Sequence, residues 1–152
     1  MTGSTLRQKV VVERTDWIRE MLSGLRALPL KTFEEFIESP VNIAGAESYL
    51  RRALEALLDL GRHVLAKGFG KTVAEYKLIS TELERVGVLM PETARVLRIL
   101  AGYRNRIVHF YFEVSNQELY EICVNELSDI EGVLNEIRRW INEHPDRINH
   151  EL

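Results

Sequence analysis

Tyr49-Leu50-Arg51-Arg52-Ala53-Leu54-Glu55-Ala56-Leu57-Leu58-Asp59-Leu60-Gly61-Arg62-His63-Val64-Leu65 carries apolar side chains around more than half of a helical circumference. A helix with so wide an apolar face has neighbours on several sides. The segment from about Asn42 is therefore expected to be the central helix of the fold, closed by Gly68 as a left-handed cap.

Helical spacing extends outward from it in both directions. Leu6, Val10, Trp17, Met21, Leu25 and Leu28 recur at helical intervals and predict a first helix over about 5–28, stopped by Pro29. Thr32 before Phe33, Glu34 and Glu35 has the cap-then-acid order of a short helix ending near Ser39-Pro40. Downstream, Thr72 opens an amphipathic stretch through Val73, Tyr76, Leu78, Ile79 and Leu83 that reaches Gly87. Pro91 and Glu92 suit the first turn of a helix over about 91–109, because proline lacks only a surplus donor there and the positive helix end favours an acid. Ser115 with Glu118 three residues later is a capping-box pattern. It opens a last long helix whose Leu119, Ile122, Leu127, Ile130, Leu134, Ile137 and Ile141 form a nearly heptad stripe, long enough to meet a second copy. The polar tail after Glu143 is expected to fray.

The β-branched clusters at Val10–Val12 and Val86–Val88 are too short for strands and lack hairpin turns. The expectation is an all-α, up-and-down bundle of four main helices plus a short one, as a single domain over 1–144 with a polar tail at 145–152.

With 152 residues, 45% of them hydrophobic, the chain can bury one real core. Its single cysteine, Cys123, excludes an intrachain disulfide framework and a multi-cysteine zinc site; it reads as packing in a reducing cytoplasm. The segment from Met1 to Val12 shows no signal-peptide pattern, and nothing approaches the ~18 uninterrupted apolar residues of a membrane span. The expected location is the cytoplasm, without membrane contact. A formal net charge of −3 means that any nucleic acid must be met by a local basic patch.

Gly70-Lys71-Thr72 looks like the end of a phosphate-binding loop, but Leu65 stands where the first glycine belongs and a helix precedes where a strand is required. It reads as a cap turn. His63, His109, His144 and His150 include no pair at the four-residue spacing of a shared metal site, so no metal is expected. Asp59 and His63 lie four apart, close enough for the carboxylate to orient the imidazole or raise its pKa, but the favoured reading is an ordinary charge pair near a helix C-terminus.

Arg104-Asn105-Arg106-Ile107-Val108-His109-Phe110-Tyr111 is the informative stretch. At about 100° per residue, Val96, Leu97, Leu100, Tyr103, Ile107 and Val108 share one apolar arc with Arg104 near its middle. A guanidinium so placed needs a carboxylate, a phosphate or a cleft between subunits. Arg95, Arg98, Asn105, Arg106 and His109 fall on the opposite arc, where Gly102 opens room. These residues supply an imidazole, fixed cations, an amide and a phenol, the parts of a metal-free ribonuclease.

Arg104 with Asn105 after it, His109 five residues on and Tyr111 two beyond resemble the signature of the HepT-like HEPN toxins. Leu100 to His109 resembles that family's motif helix, and Ala56 to His63 its central helix. The likeness runs from about Leu6 to Ile141. It implies an all-α homodimer joined through the motif helices, with the apolar neighbours of Arg104 facing the partner copy. It also implies a metal-independent endoribonuclease that drives ribose 2′-OH attack on phosphorus. His109 would then be the acid-base group, Arg104 the phosphate ligand and Asn105 a positioning group, with Arg95, Arg98 and Arg106 as RNA-binding candidates. RNA cleavage would need no cofactor. Tyr111 would accept AMP from a minimal nucleotidyltransferase antitoxin, whose reaction alone uses ATP and magnesium. The alternative is a catalytically silent helical partner that docks a nucleotidyltransferase and contributes to its nucleotide or substrate site; a bundle whose basic stripe is merely solvated is the plainest reading.

Overall fold

Ser39 accepts the Val41 N–H on its hydroxyl at 3.2 Å and Pro40 supplies a first turn that needs no donor, so the central helix α3 (Pro40–His63) starts two residues before Asn42. The computed structural model describes residues 5–109 and 114–149. Around α3 are arranged α1 (Gln8–Arg26), the short α2 (Phe33–Ile37), α4 (Tyr76–Arg85), α5 (Pro91–Val108), α6 (Asn116–Asn125) and α7 (Leu127–Glu143), all of which pack against it. Leu50, Leu54, Leu57, Leu58 and Leu60 are fully buried, as a wide apolar face requires.

The buried stripe of α1 is Val11, Thr15, Ile18, Met21, Leu22 and Leu25. Trp17, expected inside, is 38% exposed, because the series through Ile18 faces α3 and Trp17 sits one step round the helix. At Gly24 a side chain would meet the Tyr49 ring at 2.6 Å, so glycine lets α1 and α3 cross closely.

α3 does not stop at a left-handed Gly68. It widens into a π turn (Val64–Gly68), and the left-handed residue is Gly70 at φ 65°. There the N–H groups of Gly70 and Lys71 donate to the carbonyls of Ala66 and Leu65. Thr72 does not open a helix either. The Arg62 guanidinium donates to the carbonyls of Val73 and Ala74 at 3.0 and 2.9 Å, and α4 begins only at Tyr76. Gly87, at φ 84°, closes α4 as its position suggested. Thr32 and Ser115 cap as expected, accepting the N–H groups of Glu35 and Glu118, both at 3.1 Å. Pro91 opens α5, whose free N-terminus is also capped from α7: Glu136 accepts the Met90 N–H at 2.7 Å and the Thr93 hydroxyl at 2.8 Å.

The long last helix is divided. Glu126 falls on the apolar stripe and leaves helical geometry (φ −120°, ψ 6°), turning its carboxylate to the Tyr103 hydroxyl at 3.0 and 3.1 Å. The break lets α6 bury Leu119, Ile122 and Cys123 on the α2 and α3 side while α7 packs on α5 and α3. The stripe is thus used within this chain. Burial pushes the Cys123 thiol up to about 12, which keeps it protonated.

The tail does not fray at once. Pro145–Arg147 forms a 3-10 turn, Arg147 donates to the Gly68 carbonyl, and Ile148–Asn149 (β2) pairs in parallel with Leu6–Arg7 (β1). These are the only strands among the described residues, two residues each. Among the described residues no helix is long and apolar enough to cross a membrane.

His63 corrects another expectation. Its Nε2 accepts the Arg7 N–H at 3.0 Å, while Asp59 is taken by Tyr76 and Arg62. Burial first, then the charges of Lys67, Arg7 and Arg14, lower the imidazole from 6.5 to about 4. The folded chain therefore binds this proton less readily than the unfolded chain, and stability should fall as pH drops from about 6.5 towards 4. Melting temperatures followed over that window should show a steeper loss for the native sequence than for His63→Gln, whose amide oxygen can still accept the Arg7 N–H. Parallel slopes would contradict a neutral, half-buried His63.

Candidate active site

The apolar arc of α5 faces this chain's own core, not a second copy. Leu97 and Leu100 are buried, and Val96, Tyr103 and Ile107 pack against the same cluster. Arg104, in the middle of that arc, is thereby laid across α3, where the carboxylate its position demanded is Glu55. Nε and Nη2 donate to Glu55 Oε2 at 3.0 and 2.8 Å, and Nη1 donates to Asn105 Oδ1 at 3.3 Å. Both side chains of the ion pair are about three-quarters buried, at 23% and 24% exposure. Arg51 reaches the other Glu55 oxygen at 3.1 Å.

Glu55, Asp59 and Arg62 follow one another at four and three residues and so share a face of α3. Asp59 accepts the Tyr76 hydroxyl at 2.8 Å. Burial, and then this hydrogen bond, raise the phenol above its ordinary value. The Tyr76 ring carries two cations: the guanidinium carbons of Arg62 and Arg104 each lie 4.6 Å from its centroid. Such contacts hold a guanidinium in place without consuming its N–H donors.

The result is an open cleft of about 520 Å³ between the start of α4 and the end of α5. Arg62 lines it from α3, Glu75, Tyr76 and Lys77 from the entry to α4, and Arg104, Asn105, Arg106 and His109 from the end of α5. Its lining holds four cations, Arg62, Lys77, Arg104 and Arg106, each ion-paired, with Asp59, Glu75, Glu55 and Glu118 respectively, so the cleft offers cationic N–H donors held in place by carboxylates. His109 is the first residue beyond α5, exposed, with its N–H on the Asn105 carbonyl at 3.1 Å.

The structure thus brings Arg104, Asn105, Arg106 and His109 together. It does not bring Arg95 and Arg98 to them: both lie exposed further down α5, and Arg98 reaches Glu84 at 3.9 Å. Gly102 has open space beside it, as expected. Tyr111 lies outside the described residues, as does His150. Lys71 of the discounted phosphate-loop lookalike pairs with Glu82. His144 stacks on Trp140 with Nδ1 2.7 Å from its carbonyl. Among the described residues no three His, Cys, Asp or Glu side chains are grouped to hold a metal ion.

Sequence reasoning did not find Glu55, Arg62, Tyr76 and Lys77. A polar row at four- and three-residue spacing through an otherwise apolar helix was a signal for Glu55 and Arg62. Tyr76 and Lys77 gave none until the chain turn placed them.

A family model described as HepT-like, Ribonuclease HepT-like, matches residues 18–137. The chain is 25% identical over 115 residues to the tRNA nuclease HepT of Aphanizomenon flos-aquae (strain 2012/KM1/D3), covering 74% of this chain and 78% of that protein. It is 23% identical over 129 residues to a putative RNase of Archaeoglobus fulgidus (strain ATCC 49558 / DSM 4304 / JCM 9628 / NBRC 100126 / VC-16), covering 85% and 88%. Its fold is shared with the tri-AMPylated Shewanella oneidensis HEPN toxin, solved in complex with an MNT antitoxin. That likeness has a TM-score of 0.78 at 17% identity and covers 86% of this chain and 97% of the other.

Proposed function

The chain belongs to the HepT-like ribonuclease family, and from that premise we propose that it is a metal-independent endoribonuclease toxin of the cytoplasm, silenced by a minimal nucleotidyltransferase antitoxin. The observation that carries this reading is the convergence of Arg104, Asn105 and His109 on one open cleft.

In this reading the His109 imidazole takes the proton of a ribose 2′-OH as its oxygen attacks the adjacent phosphorus. The bond to the 5′ oxygen breaks. One product carries a 2′,3′-cyclic phosphate, and the other a 5′-hydroxyl once the leaving oxygen has taken a proton from water or from the imidazole of a second copy in a homodimer. Arg104 stabilises the charge that builds on the phosphate. Of its five N–H groups three go to Glu55 and Asn105, which leaves two for phosphate oxygens. Asn105, whose Oδ1 is held by Arg104, turns its amide donors to the substrate. Arg62 and Lys77 offer further N–H donors along the cleft, and Arg95 and Arg98 are placed to meet only a longer RNA.

Tyr111 is the proposed acceptor of AMP. Its hydroxyl oxygen attacks the α-phosphorus of ATP, pyrophosphate leaves and the phenolic proton is lost, on the antitoxin and with its magnesium. The added phosphate competes with RNA for Arg104. The tri-AMPylated Shewanella toxin supports AMPylation as the mode of silencing; the choice of Tyr111 rests on its place two residues beyond His109.

Expression of the chain alone should arrest growth, co-expression of a minimal nucleotidyltransferase from the same genome should restore it, and Tyr111→Phe should stay toxic beside that enzyme. A chain that binds the nucleotidyltransferase but arrests nothing when unmodified is the silent docking partner instead.

A further inference from the structure

We propose that Arg106 does not contact RNA phosphate but forms with Glu118 a clamp that positions His109; the inference rests on the ribonuclease reading of the cleft. α5 ends at Val108, and His109 leaves it with extended backbone (φ −107°, ψ 102°). Its N–H is held by the Asn105 carbonyl, so the last turn of α5 fixes the backbone position from which the imidazole departs.

That turn is tied to the next helix by a two-pronged ion pair. Arg106 Nη1 and Nη2 donate to the two oxygens of Glu118 at 2.6 and 2.7 Å. The two parallel bonds fix orientation as well as distance. A capping box would send the Glu118 carboxylate back to the Ser115 N–H; here Ser115 caps Glu118, and the carboxylate crosses to α5. A second tie, from the Tyr103 hydroxyl to Glu126, joins α5 to the far end of α6. The pairing also holds Arg106 above and Glu118 below their ordinary pKa values.

Both side chains are partly exposed, at 40% and 33%. An ion pair this wet contributes little to folding stability, so its consequence is local: it closes the chain between positions 106 and 118 and fixes the exit of His109. Two of its five N–H groups are thereby committed to Glu118.

Charge reversal separates the two roles. In the full chain, Arg106→Glu and Glu118→Arg should each lower kcat for RNA cleavage about 10-fold with KM little changed, since a displaced acid-base group costs rate and not binding. The double reversal should recover most of kcat. If Arg106 instead touches phosphate, the double variant will be no better than Arg106→Glu, with a raised KM. Should a reversed charge disturb folding, Arg106→Gln and Glu118→Gln supply the single variants. The His109 imidazole resonances, assigned by their loss in His109→Ala, should move in each single variant and return in the double. Unmoved resonances overturn the clamp whether or not the protein cleaves RNA, whereas failure of the native protein to cleave overturns the ribonuclease reading alone.

Discussion

His109→Ala is expected to lower the rate of RNA cleavage by about 10²- to 10⁴-fold, the range a positioned acid-base side chain supplies. The imidazole is exposed at the mouth of the cleft. The helix N–H···O bond that anchors the residue is made by its backbone, so the substitution removes chemistry and leaves packing alone. The circular dichroism spectrum and melting temperature should match those of the native chain, and KM should change little. An active His109→Ala protein would place the acid-base group elsewhere in the cleft.

Arg104→Ala is expected to cost about 10²- to 10³-fold in kcat, the usual loss when a donor aimed at developing charge is removed. Arg104→Lys should recover little. One ammonium cannot hold Glu55, stack on Tyr76 and offer two N–H groups to phosphate at once. The fold should survive, because Glu55 keeps Arg51 at 3.1 Å and is not left as an unpaired charge. Single-turnover cleavage with a melting curve on the same samples checks both statements. Near-native cleavage by Arg104→Ala would remove it from the site.

What was legible in the sequence was what neighbouring residues decide. Apolar spacing located the central helix, and Thr32, Ser115, Pro91 and Gly87 marked helix ends where they occur. What was not legible is decided across the chain. The break at Glu126 coincides with its contact to Tyr103, and the non-helical run before Tyr76 is held by Arg62. The boundary at Gly68 was displaced because the π turn moves the left-handed residue to Gly70.

The site divides in the same way. Arg104, Asn105 and His109 could be read from one contiguous stretch, because a helix turn and its exit place them together. Arg104 was known to need a partner; that the partner is Glu55, 49 residues earlier, follows only once α3 and α5 are packed. The arc of Arg95, Arg98 and Arg106 was right as helix geometry, but the cleft lies at one end of α5 and takes in only Arg106.

The ends of the cut RNA test the account most directly. Purified native protein, free of modification at Tyr111, is incubated with a defined tRNA in excess chelator and the product termini are identified. The account predicts cleavage with 2′,3′-cyclic phosphate and 5′-hydroxyl ends; cleavage that requires added magnesium, or that leaves a 3′-hydroxyl and a 5′-phosphate, would contradict it.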